Sequence, residues 1–310
     1  MGKSFNPATD IGSLEGKVIL VTGGNTGLGK QTIKYLAAHN PAKIYLAART
    51  ASKAEAAIQD IKSAVPNAPE IIHLPLDLAS FSSIASAAET FLARESRLDI
   101  LINNAGIMAT PYSLTKEGYE IQFGTNHMGP ALLTKLLLPK LRETASQGND
   151  VRVIWLSSMA HQMTVPEGIM FDQAALEKQN TYKRYGASKL ASIPYARSFA
   201  EQYPEITSVS IHPGVILTDL FNTLRTNAAM KFALWCYGII GTILPGHYKT
   251  AEGGALNETW AATVDKKELV NGAYYNPVGK KNDGSKWAKD AALQKKLWEY
   301  TERELEKHGY

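Results

Sequence analysis

The stretch KVILVTGGNTGLGK (residues 17–30) joins an apolar run to a glycine-rich turn and then to the start of an amphipathic segment. The apolar run predicts a buried strand, and the segment at 29–39 predicts a helix. Glycines at 23, 27 and 29 fit the spacing T-G-x-x-x-G-x-G. Such a turn lets the backbone approach a pyrophosphate, while the helix offers N–H groups and the positive end of its dipole. The alternative is a glycine turn with a purely structural role.

The alternation of apolar strands with amphipathic helices continues along the whole chain. Further strands are predicted at 43–48, 70–77, 98–106, 151–158, 206–214 and 272–277, and further helices at 52–65, 80–95, 117–144, 182–202 and 286–308. This order predicts an α/β fold, a doubly wound parallel sheet with helices on both faces. We expect a single domain over 1–310, with a cofactor-binding and catalytic core at 15–214 and a less regular substrate-binding region at 215–270.

The bulk composition excludes several classes of protein. Hydrophobic residues make up 45% of the 310 residues, charged residues 20%, and the formal net charge is +4. No basic block is present, so we expect no nucleic-acid partner. The one cysteine, Cys236, excludes an intrachain disulfide and a cysteine-based metal cluster, so we expect no metal site. Because the first residues lack the apolar core of a signal peptide, we expect a cytoplasmic protein.

The second predicted strand ends in YLAARTASK (45–53), at the place where NAD sites tend to put an acid on the ribose 2′-hydroxyl. This chain has Arg49 there, followed one turn later by Lys53. An arginine pairs bidentately with a 2′-phosphate, which an acid would repel. The pattern therefore predicts a preference for NADP(H). The alternative is a solvated arginine at a strand end.

Polar residues also follow the third and fourth predicted strands. Asp77 is placed either to accept a hydrogen bond from an adenine amino group or to cap the next helix. The fourth strand ends in NNAG (103–106), whose two amides and glycine form either the floor of a cofactor site or a simple turn. Because ligands of doubly wound sheets bind at the carboxyl ends of the strands, both segments are candidates for the site.

The fifth and sixth predicted strands end in residues suited to the substrate and the nicotinamide end of the site. Ser157 and Ser158 end the fifth strand, where a hydroxyl can reach a bound substrate or cap a helix. The sixth ends in a turn at Pro213 and Gly214, and Thr218 after it is a candidate for holding a carboxamide. His161 could exchange protons as a catalytic residue, but we assign it to a loop or to the wall of a pocket.

Tyr185 and Lys189 lie four residues apart on the predicted helix 182–202 and therefore share one face of it. One interpretation is an aromatic ring packed on a lysine stem. The other is that the ammonium lowers the pKa of the phenol, which then exchanges protons near neutral pH.

Six motifs together resemble the short-chain dehydrogenase/reductase family. They are TGGNTGLG (22–29), NNAG (103–106), Asn126, Ser158, YGASK (185–189) and HPG (212–214), and the resemblance covers about residues 15–220. The later part, with GAYYNP (272–277), is similar to the retinol-dehydrogenase-like and fungal carbonyl-reductase-like branch. The resemblance implies a Rossmann fold and a nicotinamide cofactor.

The resemblance also implies roles for individual residues. Tyr185 would be the general acid/base, and Lys189 would hold the nicotinamide ribose and lower the pKa of that tyrosine. Ser158 would orient and polarise the carbonyl, and Asn126 would keep a water on the lysine. The expected contacts of NADP(H) are Gly23, Asn25, Thr26, Gly27, Leu28, Gly29, Arg49, Lys53, Asp77, Leu78, Asn104, Ala105, Gly106, Tyr185, Lys189, Pro213, Gly214, Val215 and Thr218.

The expected activity is NADP(H)-dependent transfer of a hydride between the cofactor and a lipophilic ketone, aldehyde or alcohol. The hydrophobic substrate is inferred from the large apolar side chains in 215–250, which are equally consistent with core packing. The apolar run at 232–245 is too short to span a membrane and instead suits contact with a membrane surface or a second subunit. We expect a homodimer or a monomer. The alternatives to the redox activity are a non-redox isomerase or cyclase and an NADP(H)-binding sensor.

Overall fold

The computed structural model describes residues 4–216, 247–248 and 250–310. Its strands are β1 (Val18–Thr22), β2 (Lys43–Ala48), β3 (Glu70–Pro75), β4 (Ile100–Asn103), β5 (Arg152–Leu156), β6 (Thr207–Ile211), β7 (Val215–Ile216), β8 (His247–Tyr248), β9 (Tyr274–Asn276) and β10 (Lys280–Asn282). Its α-helices are α1 (Pro7–Asp10), α2 (Gly27–Ala37), α3 (Ala51–Ala64), α4 (Phe81–Arg94), α5 (Ile121–Phe123), α6 (Gly129–Ser146), α7 (Thr181–Gln202), α8 (Ala251–Thr263) and α9 (Ala291–Lys307).

Eight of these strands form one sheet in the order β10-β9-β6-β5-β4-β1-β2-β3. Every neighbouring pair in it is parallel except β9 with β10. The chain winds outward from β1 to β3, returns to β4 beside β1, and then winds outward in the other direction. The prediction of a doubly wound parallel sheet in a single domain is confirmed. The strand order reverses between β1 and β4, which is where such a sheet opens a crevice for a ligand.

The sheet separates two apolar cores. Leu20 of β1 belongs to the core shared with α4, α6, α7 and α9, whereas its neighbours Ile19 and Val21 belong to the core shared with α2, α3 and α8. Successive side chains of a strand point to opposite faces, so a strand that is buried on both faces must be apolar throughout. This is why the strands read as continuous apolar runs in the sequence.

Helix α8 lies in the region 215–270, which the sequence predicts to be less regular. Its buried residues include the polar run Asn257, Glu258 and Thr259, so it has no apolar stripe with a helical period. The Asn257 amide donates to the carbonyl oxygens of His212 (2.7 Å) and Tyr275 (3.1 Å). A buried polar side chain thus fastens the helix to the ends of β6 and β9.

The C-terminal helix α9 covers one face of α6 and α7. Lys135 of α6 donates to Glu302 (2.7 Å), and the Trp298 ring stacks on Tyr195 of α7 with centroids 5.1 Å apart. None of the described helices is long and apolar enough to cross a membrane. The run at 232–245, with its predicted contact to a membrane or a subunit, lies outside the described residues.

We predict that Leu297→Ala on α9 lowers the free energy of unfolding by about 2–5 kcal/mol, because Leu297 is fully buried in the core shared with α7. Urea unfolding followed by circular dichroism measures the change. Lys295→Ala, on an exposed face of the same helix, is the matched control and should have little effect. Equal effects of the two substitutions would show that α9 does not stabilise the fold through this face.

Candidate active site

A cavity of about 940 Å³ opens along the carboxyl edge of the sheet. Most of the residues predicted to contact the cofactor line it: Gly23, Asn25, Thr26, Gly27, Leu28, Arg49, Lys53, Asp77, Leu78, Asn104, Ala105, Gly106, Tyr185, Lys189, Pro213 and Gly214. Gly29 is buried and does not line the cavity, and neither does Asn126. Val215 is in β7, and Thr218 lies outside the described residues.

The glycine-rich turn presents the N-terminus of α2 to this cavity. The helix begins at Gly27, its N-cap Thr26 makes no side-chain capping bond, and its first turn carries no acid. Gly23 and Gly27 have φ angles of 69° and 54°, which other residues rarely adopt. The turn therefore leaves uncapped N–H groups and a positive dipole end for an anion, which fits the pyrophosphate of a dinucleotide.

The segment NNAG closes the crevice from the β4 side. The Asn104 amide donates to the Thr22 carbonyl oxygen (2.6 Å), and the Ala105 N–H donates to the Thr22 hydroxyl (3.0 Å). A Cβ atom on Gly29 would lie 2.5 Å from the Asn104 amide nitrogen, so only glycine fits there. These contacts join the ends of β1 and β4 beneath the turn.

The end of β5 is fastened to α7 through Lys189. Its ammonium donates to the Leu156 carbonyl oxygen, and the Ser157 hydroxyl donates to the Lys189 carbonyl oxygen, each at 2.8 Å. Ser157 is thereby committed to holding the helix. The neighbouring Ser158 is half-buried at the cavity, where its side chain interacts with the Tyr185 phenol.

Asn126 lies in a π-helical turn, Gly124–Met128, between α5 and α6. Its amide oxygen accepts from the Ile107 N–H (2.8 Å), and its amide nitrogen donates to the Ile107 carbonyl oxygen and to Ser188 (both 2.9 Å). A Cβ atom on Gly106 would lie 3.0 Å from the Lys189 ammonium and 3.1 Å from the Asn126 amide oxygen. Asn126 therefore anchors the loop after β4 close to the lysine.

Comparison with known proteins agrees with this geometry. The family model described as short chain dehydrogenase matches residues 17–229. The chain belongs to the short-chain dehydrogenase/reductase family. It is 40% identical over 297 residues to a short-chain dehydrogenase/reductase of Armillaria gallica, covering 94% of this chain and 91% of that protein. It is 35% identical over 287 residues to mouse retinol dehydrogenase 12, covering 92% of this chain and 85% of that protein.

Among solved structures, the complex of Pseudomonas aeruginosa RhlG with NADP matches with a TM-score of 0.64 and 26% identity, covering 86% of this chain and 96% of that one. The likeness to the retinol dehydrogenase places the chain in the retinol-dehydrogenase-like branch, as the sequence predicts. It is thus an oxidoreductase of a family that acts on CH–OH and C=O groups.

At the end of the dehydrogenase cavity next to β2, Arg49 and Lys53 are exposed on its rim. No hydrogen bond or ion pair within the described part of the chain engages either side chain. Asp77 accepts from the Ala79 N–H (3.0 Å), whereas Ser80 is the N-cap of α4. Asp77 therefore shapes its own turn and does not cap the helix, which leaves the adenine contact as the remaining prediction for it.

Burial sets the protonation of the catalytic candidates. It raises the pKa of Tyr185 to about 12, opposed by the Ser158 side chain. It lowers the pKa of Lys189 to about 8, opposed by the negative charge of Glu258. The predicted lowering of the tyrosine pKa is therefore wrong for the protein alone, because burial excludes water and so disfavours the phenolate. At neutral pH the site holds a neutral phenol beside an ammonium.

Glu258 is a titratable residue of this site that sequence reasoning missed. It is fully buried on α8, and burial raises its pKa to about 7, opposed by Thr32 of α2 and by Lys189. Neither carboxyl oxygen has a hydrogen-bond partner among the described residues, although the Thr32 hydroxyl is near enough to favour the anion. No sequence pattern pointed to it, because Glu258 lies between two other polar residues in a segment that was not predicted to be a helix.

We predict that Glu258→Gln changes how stability depends on pH. The folded state raises the pKa of Glu258 from 4.5 to about 7, so it keeps a proton that the unfolded state releases. Wild-type stability should therefore fall as pH rises through this window, by up to about 3 kcal/mol. The variant should lack this fall. Urea unfolding at pH 5 and pH 7.5 tests it, and the same pH dependence in both proteins would show that Glu258 ionises as freely as in water.

Proposed function

We propose that this dehydrogenase is an NADP(H)-dependent oxidoreductase that interconverts lipophilic ketones or aldehydes and their alcohols, with Tyr185 as general acid/base. The observation that carries the proposal is that Tyr185, Lys189 and Ser158, from two different elements, meet in the cavity that the glycine-rich turn also lines. A site that only bound the cofactor would need the turn but not this trio.

The residues divide the chemistry between them. A bound nicotinamide dinucleotide supplies the hydride to a carbonyl carbon or accepts it from an alcohol carbon. The Ser158 hydroxyl donates a hydrogen bond to the substrate oxygen, and the Tyr185 phenol donates its proton as negative charge develops there. The Lys189 ammonium stabilises the phenolate that results. In the reverse direction the phenolate accepts the alcohol proton, and Ser158 keeps the oxygen in place.

In the protein alone, the two groups are in the protonation states that carbonyl reduction requires. With pKa values of about 12 for Tyr185 and about 8 for Lys189, the phenol carries its proton and the lysine its charge at neutral pH. Carbonyl reduction starts from this state. Alcohol oxidation requires the phenol to lose its proton first. A positive charge next to the phenol, in addition to the Lys189 ammonium, would favour that loss.

The choice of NADP(H) is supported by charge at the rim. The uncapped N-terminus of α2 would hold the pyrophosphate, and Arg49 with Lys53 would hold the 2′-phosphate. Both cations are exposed and without a partner among the described residues, which suits a ligand that brings negative charge. The solved RhlG relative binds NADP, which agrees with this assignment.

The choice of a lipophilic substrate is supported by the apolar mouth of the cavity. Met108 is buried in the cavity wall, while Met159 and Met163 are 45% and 57% exposed there. Exposed thioethers adapt to apolar ligands of irregular shape. The relative named retinol dehydrogenase 12 is consistent with a lipophilic alcohol or aldehyde.

We predict that Tyr185→Phe lowers kcat for carbonyl reduction by about 100-fold or more and leaves NADPH affinity nearly unchanged, because only the proton donor is removed. NADPH oxidation is followed by absorbance with a panel of lipophilic ketones and aldehydes, and affinity by fluorescence. Tyr182→Phe removes the hydroxyl of a tyrosine that lines the same cavity one turn earlier and is the matched control. Turnover that survives in Tyr185→Phe would refute the mechanism.

We predict that Arg49→Ala weakens NADPH binding by about tenfold or more and changes NADH binding little, because a charged hydrogen bond to the 2′-phosphate is lost. Fluorescence titration with both cofactors measures the two affinities. Arg94→Ala removes an exposed arginine that does not line the cavity and controls for the change in net charge. Equal losses for NADPH and NADH would exclude a contact with the 2′-phosphate.

A further inference from the structure

His161 is a buried histidine directly beside the proposed catalytic serine. It lies in the short 3₁₀ turn Met159–Gln162, and 1% of its surface is exposed. Its Nδ1 atom is 2.7 Å from the Ser158 carbonyl oxygen, and its Nε2 atom is 3.1 Å from the Ser285 backbone nitrogen. The ring thus bridges the end of β5 and a turn close to the C-terminal helix.

The two partners fix which nitrogen carries the proton. A backbone N–H can only donate, so Nε2 must accept from Ser285; a carbonyl can only accept, so Nδ1 must donate to Ser158. The neutral Nδ1–H tautomer satisfies both bonds. An imidazolium would turn Nε2 into a donor facing another donor, and the bond to Ser285 would be lost.

The surroundings of the ring favour the neutral form. It packs edge-on against the Tyr274 ring, with centroids 5.4 Å apart. Burial lowers the pKa of His161, opposed only by the bond to the Ser158 carbonyl. Ionisable side chains on the elements around it include Tyr185, Lys189 and Arg197 of α7, Tyr274 of β9, and Asp283 and Lys286 beside Ser285. Tyr274 stays neutral because burial raises its pKa.

The partner turn is anchored independently of His161. Arg197 of α7 donates to the Ala288 carbonyl oxygen (3.0 Å), and the Ser285 hydroxyl accepts from the Ala288 N–H (3.4 Å). Gly284 has φ 73°, and a Cβ atom there would lie 2.7 Å from the Ala288 side chain, so glycine is needed. The turn is therefore a fixed point against which the histidine can hold the serine.

The serine is held through its main chain. Its carbonyl oxygen accepts from both the His161 N–H (3.0 Å) and Nδ1 (2.7 Å), and its hydroxyl is near the Tyr185 phenol. A displacement of the ring away from Ser285 would carry the Ser158 carbonyl with it. A displacement of a catalytic group by about 1 Å is enough to slow a reaction strongly.

We propose that His161 is a positioning residue that, as the neutral Nδ1–H tautomer, ties Ser158 to the Ser285 turn and releases it on protonation. The inference rests on the proposed function, because it assumes that Ser158 polarises the carbonyl. It assigns a role in catalysis to the segment around Ser285, which lies beyond the residues matched by the family model.

The kinetic test uses His161→Phe and His161→Gln in the full chain. His161→Phe keeps an aromatic ring but removes the hydrogen bonds to Ser158 and Ser285. It should lower kcat about tenfold or more and leave the NADPH affinity unchanged. We expect kcat of the wild type to fall at acid pH, below the ordinary pKa range of histidine. His161→Gln cannot be protonated, so its kcat should not show this fall. His39→Gln, a histidine on the far side of α2 bonded to Pro7, is the control and should keep that acid limb. Wild-type kcat and pH profile in both His161 variants would overturn the proposal.

A second readout does not require turnover. In a ¹⁵N-labelled NMR titration of wild type, the His161 ring should be the neutral Nδ1–H tautomer at pH 7, and the Ser285 amide should shift with its protonation. If the wild type turns over no carbonyl yet shows this shift, the proposed function fails while the tie between His161 and Ser285 stands. A charged His161 ring at pH 7, or a Ser285 amide whose chemical shift does not change as His161 titrates, would refute the hydrogen bond between them. This test holds even if His161→Phe fails to fold.

Discussion

The site depends on the attachment of Lys189 to the end of β5. The lysine donates to the Leu156 carbonyl oxygen and receives a bond from Ser157 on its own carbonyl, so helix and strand are fastened at two points. Because Tyr185 lies one turn before Lys189, this attachment also fixes the distance between the phenol on α7 and Ser158 at the strand end. A buried ammonium without such an acceptor would carry a large desolvation cost, so the same bond that places the proposed catalytic groups also makes the charge tolerable.

Burial then determines which charges the site can hold. Tyr185 and Glu258 are both driven toward their neutral forms, and Lys189 toward loss of its proton. Lys189 and Glu258 interact with each other, so a proton gained by one changes the protonation of the other. Glu258 reaches the lysine from α8, on the opposite side of the sheet from α7. The protonation of the lysine is therefore set by both layers of the fold.

The sequence was sufficient for the parts of the molecule governed by local pattern. Continuous apolar strands, amphipathic helices and the glycines of the first turn each have a signature within a few residues, and the carboxyl ends of parallel strands meet at one edge. The glycine-rich turn, Arg49 and the polar residues at the strand ends were predicted on that basis, and the rest of the cavity-lining set from Gly23 to Gly214 came from the family resemblance. The separate tasks of Ser157 and Ser158 were assigned by resemblance and not by pattern, because both are serines at the same strand end.

What the sequence could not show depends on burial by distant segments. Helix α8 was missed because its buried side includes Asn257 and Glu258, so the pattern that marks an amphipathic helix is absent. The raised pKa of Tyr185 was missed for a related reason: the Tyr–Lys spacing specifies proximity but not the exclusion of water. Spacing along a helix predicts which side chains lie close together. Whether each of them is ionised depends on how deeply the surrounding segments bury it.

The C-terminal third of the described chain is therefore part of the site rather than an addition to it. Asn257 holds the ends of β6 and β9, α9 covers α6 and α7, and the turn at Ser285 contacts the histidine beside Ser158. The contacts of Asn257 and Ser285 are hydrogen bonds that buried polar groups would lose if the later segment were absent. The described residues that line the cavity all precede β7, but Ser158 is linked through His161 to a support that lies later in the chain. In this chain the segment after β10 supplies it.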